Sequence, residues 1–206
     1  MRSAGVTGLS GEANRRLAIF ADLLVHWQKT INLVAPSTLP DLWTRHIADS
    51  MQVVAAAPEA LRWVDLGSGG GFPGLVTAIL LADVPGADVH LVESDKRKAA
   101  FLRTVARETD APAIVRAERI ETFVPAYNER VDAVSARALA PLPRLVAYAE
   151  KFLNAGAIGV FHKGQNAESE LTGFDGANRF EIQSVQSRTD RSSSLIIVRA
   201  GQRMTV

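Results

Sequence analysis

Apolar residues in the first 60 positions recur at spacings of three and four. Leu17, Phe20, Leu24, Trp27 and Ile31 fall on one face of a helix, with Ser10 placed to cap its start. Pro36 and Pro40 interrupt the pattern. A second amphipathic stretch then places Trp43, Ile47, Met51 and Val54 on one face and stops before Pro58. From Leu61 the texture changes to short apolar runs separated by helical stretches. Strands are predicted at 61–66, 88–93, 113–117, 131–136, 157–162, 179–186 and 194–199. Helices are predicted at 73–82, 96–108 and 141–152. Regular alternation of this kind predicts an α/β fold with a mainly parallel, doubly wound sheet. The last two strands have only a short turn between them, so they form a hairpin that makes one edge antiparallel. The expected division is an N-terminal helical extension, 1–60, packed on an α/β unit, 61–206.

Composition narrows the chemistry. The chain has 206 residues, 47% apolar and 22% charged, with a formal net charge of +1 and no cysteine. Such a chain is globular rather than disordered. A disulfide framework, a cysteine-ligated metal and a cysteine nucleophile are all excluded, and no metal site is expected. The N-terminus lacks the apolar core of a signal peptide, and the apolar run at 75–82 is too short to span a membrane. A cytoplasmic protein is therefore expected. No long heptad run argues for a helical dimer, so a monomer is expected.

The most informative segment is Val64-Asp65-Leu66-Gly67-Ser68-Gly69-Gly70-Gly71-Phe72-Pro73-Gly74, between a predicted strand and a predicted helix. Glycines let backbone approach a ligand closely, and Pro73 suits a helix start. Gly69, Gly71 and Gly74 fit the dinucleotide fingerprint, a weak match by itself. Asp65 argues against a pyrophosphate, because its carboxylate at the strand end would repel one and would hold a cationic ligand instead. The spacing of Asp65, Gly67, Gly69 and Gly71 resembles the first motif of S-adenosylmethionine-dependent methyltransferases. Glu93, at the end of the second strand and followed by Ser94, is placed to accept hydrogen bonds from ribose hydroxyls.

The acceptor is narrowed by what is missing. The fourth strand ends Ser135-Ala136-Arg137-Ala138, without the Asn/Asp-Pro-Pro-aromatic motif that often serves base amino groups. Without cysteine, the usual route to pyrimidine C5 is closed. Guanine N7 has an exposed lone pair and no proton to lose, so its methylation asks for orientation and electrostatics more than for a base. Between Lys96 and Arg119, seven basic residues stand against three acidic ones, a local balance of +4. Lys96, Arg97 and Lys98 follow the ribose-binding strand end and are the leading candidates for phosphate contact, with Arg45 extending the surface. Solvated ion pairs are the alternative for each.

Four segments make the chain resemble the RsmG (GidB) family of bacterial 16S ribosomal RNA guanine-N7 methyltransferases. They are Arg45-His46-Ile47-Ala48-Asp49-Ser50, the turn from Asp65 to Gly74, Arg119-Ile120-Glu121-Thr122-Phe123, and Ser135-Ala136-Arg137-Ala138. The resemblance covers nearly the whole chain. It implies a class I, Rossmann-like methyltransferase with a seven-stranded, mostly parallel sheet, an antiparallel edge strand and an N-terminal helical extension. It implies S-adenosylmethionine as cofactor and S-adenosylhomocysteine as product. The implied partner is 16S ribosomal RNA, the 30S subunit or its precursor. Gly67 and Phe72 match positions that contact the cofactor, Ile120 and Glu121 match the pair flanking its adenine, and Arg137 matches an arginine near it. His46 and Asp49, three residues apart on a helix, are expected to border the active site and, with Arg137, to orient the acceptor. The fifth strand ends in His162-Lys163-Gly164, where Lys163 is a candidate RNA contact and His162 departs from the family's usual apolar residue. Three other readings stay open: a methyltransferase of the same fold acting on a small molecule or protein, a nucleotide-dependent oxidoreductase, and a non-catalytic RNA-binding module.

Overall fold

A computed structural model describes residues 8–165, 167–172, 174 and 179–201. The N-terminal part is helical. Helix α1 (Gly11–Trp27) starts where Ser10 Oγ accepts the Ala13 N–H at 3.1 Å, and it buries Leu17, Phe20 and Leu24. A 3₁₀ segment (Pro36–Asp41) and a π-helical segment (Leu42–Ala48) lead into α2 (Asp49–Ala56). No strand precedes residue 61 among the described residues.

The remainder alternates as expected: β1 (Arg62–Leu66), α3 (Gly74–Leu80), β2 (Asp88–Val92), α4 (Lys96–Thr109), β3 (Ala113–Arg116), α5 (Ile120–Ala126), β4 (Ala133–Arg137), α6 (Leu142–Asn154), β5 (Ile158–Lys163), α7 (Ala167–Thr172), β6 (Phe180–Gln186) and β7 (Ser194–Ala200). The sheet order is β3-β2-β1-β4-β5-β7-β6. Strands β1 to β5 are parallel, and β7 inserts between β5 and β6, antiparallel to both. The antiparallel hairpin thus forms one edge, with β6 outermost. Chain direction across the sheet reverses between β1 and β4, so the crevice for a ligand opens at the carboxyl ends of these two strands.

Two apolar layers cover the sheet. Trp63 of β1 and Leu91 of β2 pack with Phe20, Leu75 and Phe101 from α1, α3 and α4. Val64 and Leu66 point the other way, onto Phe123 of α5 and Leu145 and Phe152 of α6. Helix α1 belongs to the first layer: the Phe20 ring lies 5.1 Å from Phe72 and 6.3 Å from Phe101. Arg16, 8% exposed, places Nη1 2.9 Å from both carboxylate oxygens of Asp83 beyond α3. Because these helices share the core of the sheet, we propose that 1–60 act as an extension of the 61–206 unit rather than as an independently folding piece. Residues 1–7 and 202–206 lie outside the described residues.

Two helices were not anticipated. Helix α5 is seven residues long and contains Pro125, and α7 is six, so neither repeats long enough to show a period. The second amphipathic stretch also buries a different face from the expected one. Of Trp43, Ile47, Met51 and Val54 only Ile47 is fully buried, whereas Leu42, His46, Asp49, Ser50 and Val53 are. The π-helical segment widens the turn and changes the phase of everything after it, which aims polar residues at the strand ends.

Candidate active site

The site is built on the turn after β1. The Gly67 and Ser68 amides both donate to the Val92 carbonyl, at 2.9 and 3.0 Å, which joins the turn to the end of β2. Gly67 takes φ +70°, and a Cβ there would sit 2.7 Å from Leu139 Cδ1. Gly74 opens α3 so close to β1 that a Cβ would lie 2.5 Å from Asp65 Oδ2. At the end of β2, Glu93 is 9% exposed. Its Oε2 accepts the Gly69 amide at 2.9 Å and its Oε1 accepts the Asp95 amide at 2.7 Å. Asp95 in turn caps α4 by accepting the Arg97 and Lys98 amides.

These strand ends enclose a cleft of about 640 Å³. Gly67, Gly69, Phe72, Glu93 and Ser94 line it from β1 and β2. Ile120 and Glu121 line it from the start of α5, and Arg137 from the end of β4. His46 and Lys98 complete the set of expected residues that reach it. At the rim, Tyr148 Oη donates to Glu121 Oε1 at 2.7 Å and accepts from Arg144 Nε at 2.8 Å. Tyr148 and Arg144 were not anticipated. Their spacing of four on α6 was the available clue, since it puts both on one helix face.

Asp65 does not reach the cleft. It is 1% exposed, and its Oδ1 accepts Ser135 Oγ at 2.7 Å, tying β1 to β4 beneath the turn. Burial raises its pKa to about 6, against the opposing hydrogen bonds from Ser135, Ser68 and the Gly74 amide. The expected direct contact with a cationic ligand is therefore corrected to a support beneath the turn. Gly71 also lies off the cleft, its amide donating to Ser68 O at 2.7 Å.

A second constellation stands beside Arg137. Asp49 is 3% exposed. Its Oδ2 lies 2.9 Å from His162 Nε2 and 3.4 Å from Arg137 Nη1. Its Oδ1 accepts Ser187 Oγ at 2.9 Å and Thr189 Oγ1 at 2.6 Å. Burial pushes the Asp49 carboxyl up, but His162, Thr189 and Arg137 outweigh it and hold the pKa at about 2. Burial lowers the Arg137 pKa, opposed by Asp49. Arg137 Nη2 also donates to the Arg45 carbonyl at 2.8 Å. His46 stacks on Phe72, ring centroids 5.0 Å apart, and its Nε2 is 2.8 Å from Thr38 Oγ1. Burial and the charges of Arg137 and Arg45 lower its pKa to about 4, so it is neutral at pH 7. The side chain of His162 is engaged by a residue 113 positions away, rather than merely filling a strand position.

The basic candidates divide. Lys98 lines the cleft, whereas Lys96 and Arg97 are exposed on the first turn of α4, outside it. Arg45 is exposed, with its guanidinium 3.9 Å from Asp190. Lys163 is corrected. Its side chain is 11% exposed, and its Nζ donates to the Ala140 carbonyl at 2.9 Å and pairs with Glu170 at 2.8 Å. An ammonium so enclosed and neutralised holds β5 to the segment around Ala140 and is not free to meet a phosphate.

Residues 13–196 match the GidB family, described as rRNA small subunit methyltransferase G. The chain belongs to this family. Among its GidB relatives, the ribosomal RNA small subunit methyltransferase G of Bradyrhizobium sp. strain BTAi1 is 49% identical over 193 residues, covering 94% of this chain and 87% of the relative. That of Parvibaculum lavamentivorans is 50% identical over 197 residues, covering 95% and 87%. The GidB chain also resembles the cofactor-bound Rv0187 from MTB, at a TM-score of 0.62 and 14% identity over 95% of this chain and 92% of that one. That likeness is one of fold, a Rossmann-like α/β sheet. No helix among the described residues is long and apolar enough to cross a membrane.

Proposed function

We infer that this protein methylates N7 of a guanine in 16S ribosomal RNA. The observation that carries the reading is membership of an rRNA methyltransferase family together with a cleft of matching chemistry at the switch point of the sheet. S-adenosylmethionine, when bound, supplies an electrophilic methyl group on a cationic sulfur, which the N7 lone pair takes with no proton to remove. The residues fit that cofactor. A Cβ at Gly67 would run into Leu139, which lines the cleft with it, and Glu93 keeps lone pairs free beyond the two amides it accepts. Glu93 and Ser94 hold the ribose, Ile120 packs on the adenine beside Glu121, and Gly67, Gly69 and Phe72 shape the wall along the sulfur end.

On the acceptor side, Arg137 and His46 orient the guanine. The guanidinium presents a planar fork to a base edge or phosphate, and the neutral imidazole adds no charge against the positive ring that forms. Asp49 fixes Arg137 from behind. Lys96, Arg97, Lys98 and Arg45 contact phosphates around the mouth. The enzyme works as a cytoplasmic monomer on 16S ribosomal RNA, the 30S subunit or its precursor. The test is transfer of labelled methyl groups to 30S subunits and to protein-free 16S RNA from a strain lacking the methyltransferase. Label at guanine N7 is expected. Label on a protein or small molecule, with none on RNA, would overturn the reading.

A further inference from the structure

The turn between β6 and β7, residues 187–193, reads Ser187-Arg188-Thr189-Asp190-Arg191-Ser192-Ser193 and is held unusually firmly for a connection at a sheet edge. Ser187 and Thr189 both donate to the buried Asp49. Gln52 of α2 accepts the Arg188 amide at 2.9 Å and donates to Ser187 Oγ at 3.1 Å. Asp190 is occupied inside the turn, accepting the Ser192 amide at 2.8 Å and the Ser192 hydroxyl at 2.6 Å. Gln186 ties the far side to the carbonyls of Arg191 and Ser193.

What this frame leaves outside is two guanidinium groups. Arg188 and Arg191 are exposed and have no ion-pair partner among the described residues. Arg45 stands beside them, half exposed. On α4, Arg103 reaches the Val115 carbonyl and Arg107 pairs with Glu108, while Lys96 and Arg97 are exposed without an ion pair among the described residues, as Arg188 and Arg191 are. The carboxylate that anchors the turn through Oδ1 is also the one that holds His162 and Arg137 through Oδ2. The turn and the cleft are therefore fixed to one another through a single buried side chain.

The geometry points to the β6–β7 turn as a phosphate-binding element for the RNA strand that flanks the target guanine, with Arg188 and Arg191 each taking one phosphodiester. This rests on the RNA reading above. A base in the cleft leaves its neighbouring phosphates outside, and guanidinium forks on a rigid turn meet them without having to be ordered first. None of the four segments that carry the family resemblance includes this turn.

The test measures binding to protein-free 16S RNA and to 30S subunits, both from a strain lacking the methyltransferase, over a range of salt. The proteins are the wild type, R188A/R191A and a control, R62A/R130A, which removes the same charge at the amino ends of β1 and β4. Two lost phosphate contacts should flatten the slope of log affinity against log salt by about 1.5 on both RNA samples. The control should keep the wild-type slope, and calorimetry with S-adenosylhomocysteine should give all three proteins the same affinity. A wild-type slope in R188A/R191A overturns the proposal and leaves the RNA reading intact. So does a loss equal to the control's. A loss on 30S subunits alone is decided by crosslinking from position 191 to the bound particle: a crosslink to 16S RNA supports the proposal, and a crosslink to a ribosomal protein overturns it. If the wild type methylates neither RNA sample, the RNA reading falls and the proposal falls with it.

Discussion

Replacing Asp49 by Asn keeps the shape of the side chain and removes its charge, which makes the buried cluster beside Arg137 open to measurement. The carboxyl is held at about 2 against an ordinary 3.8. That gap of about 1.8, at about 1.36 kcal/mol per pH unit, corresponds to about 2.4 kcal/mol of stability at neutral pH. Removing one partner of a buried pair costs about 3–5 kcal/mol when the other charge is left uncompensated. Arg137 is left so here, tempered by its remaining bond to the Arg45 carbonyl. The expected loss for D49N at pH 7 is therefore about 2–4 kcal/mol, read as a shift in urea midpoint. A depressed carboxyl stabilises the fold above its unfolded pKa and loses that contribution as pH falls through the folded one. The difference between wild type and D49N should accordingly shrink from pH 5 downward, by about 1.1 kcal/mol at pH 3. Titrating groups remote from Asp49 are common to both proteins and cancel in the difference. A difference of the same size at pH 7 and pH 3 would show that the charge of Asp49 is not what stabilises the cluster.

Asp65 should behave in the opposite sense. Its folded pKa of about 6 lies above 3.8, so the folded carboxyl holds a proton that the unfolded one releases, and stability falls as pH rises from about 4 to 6. D65N should flatten that fall by up to about 3 kcal/mol, measured by urea denaturation across the window; an unchanged pH profile would refute the buried, protonated state. Gly74→Ala should lower the thermal midpoint, because its methyl would meet Asp65 Oδ2 at 2.5 Å in a filled core, an overpacking of about 1–3 kcal/mol. Glu93→Ala should weaken S-adenosylhomocysteine binding about 100-fold by calorimetry, since hydrogen bonds to a charged group contribute about 1.5–3 kcal/mol each. Undiminished affinity would remove Glu93 from the ribose site.

The sheet was legible because a buried parallel strand is a short apolar run bounded by a turn, and β1, β2, β4 and β5 carry that mark, while β3 at the edge is four residues long with none buried. The cofactor side of the cleft was legible for a related reason. Gly67, Gly69, Phe72 and Glu93 lie within a few residues of a strand end, and local chain geometry decides where they point. The depth of Asp65 was not legible, because its partner Ser135 comes from β4, 70 positions later. The acceptor side was harder still. Asp49 meets His162, Ser187 and Thr189 only after β5 and the β6–β7 hairpin have closed over α2. The enclosure of Lys163 was not legible for the same reason, since Glu170 lies on a helix too short to show a period.

The π-helical segment from Leu42 to Ala48 makes this half of the site unusually sensitive to chain length. A wide turn of this kind holds one more residue than an α-helical turn would. Inserting one further residue there, where the wide turn has already taken up its extra one, would rotate all that follows by about 100°. Asp49 would leave the strand ends, and Arg137, His162 and the arginine turn would lose their common anchor together, while the cofactor side of the cleft kept its shape. Gain of a single codon in this segment would thus separate holding the methyl donor from presenting the RNA.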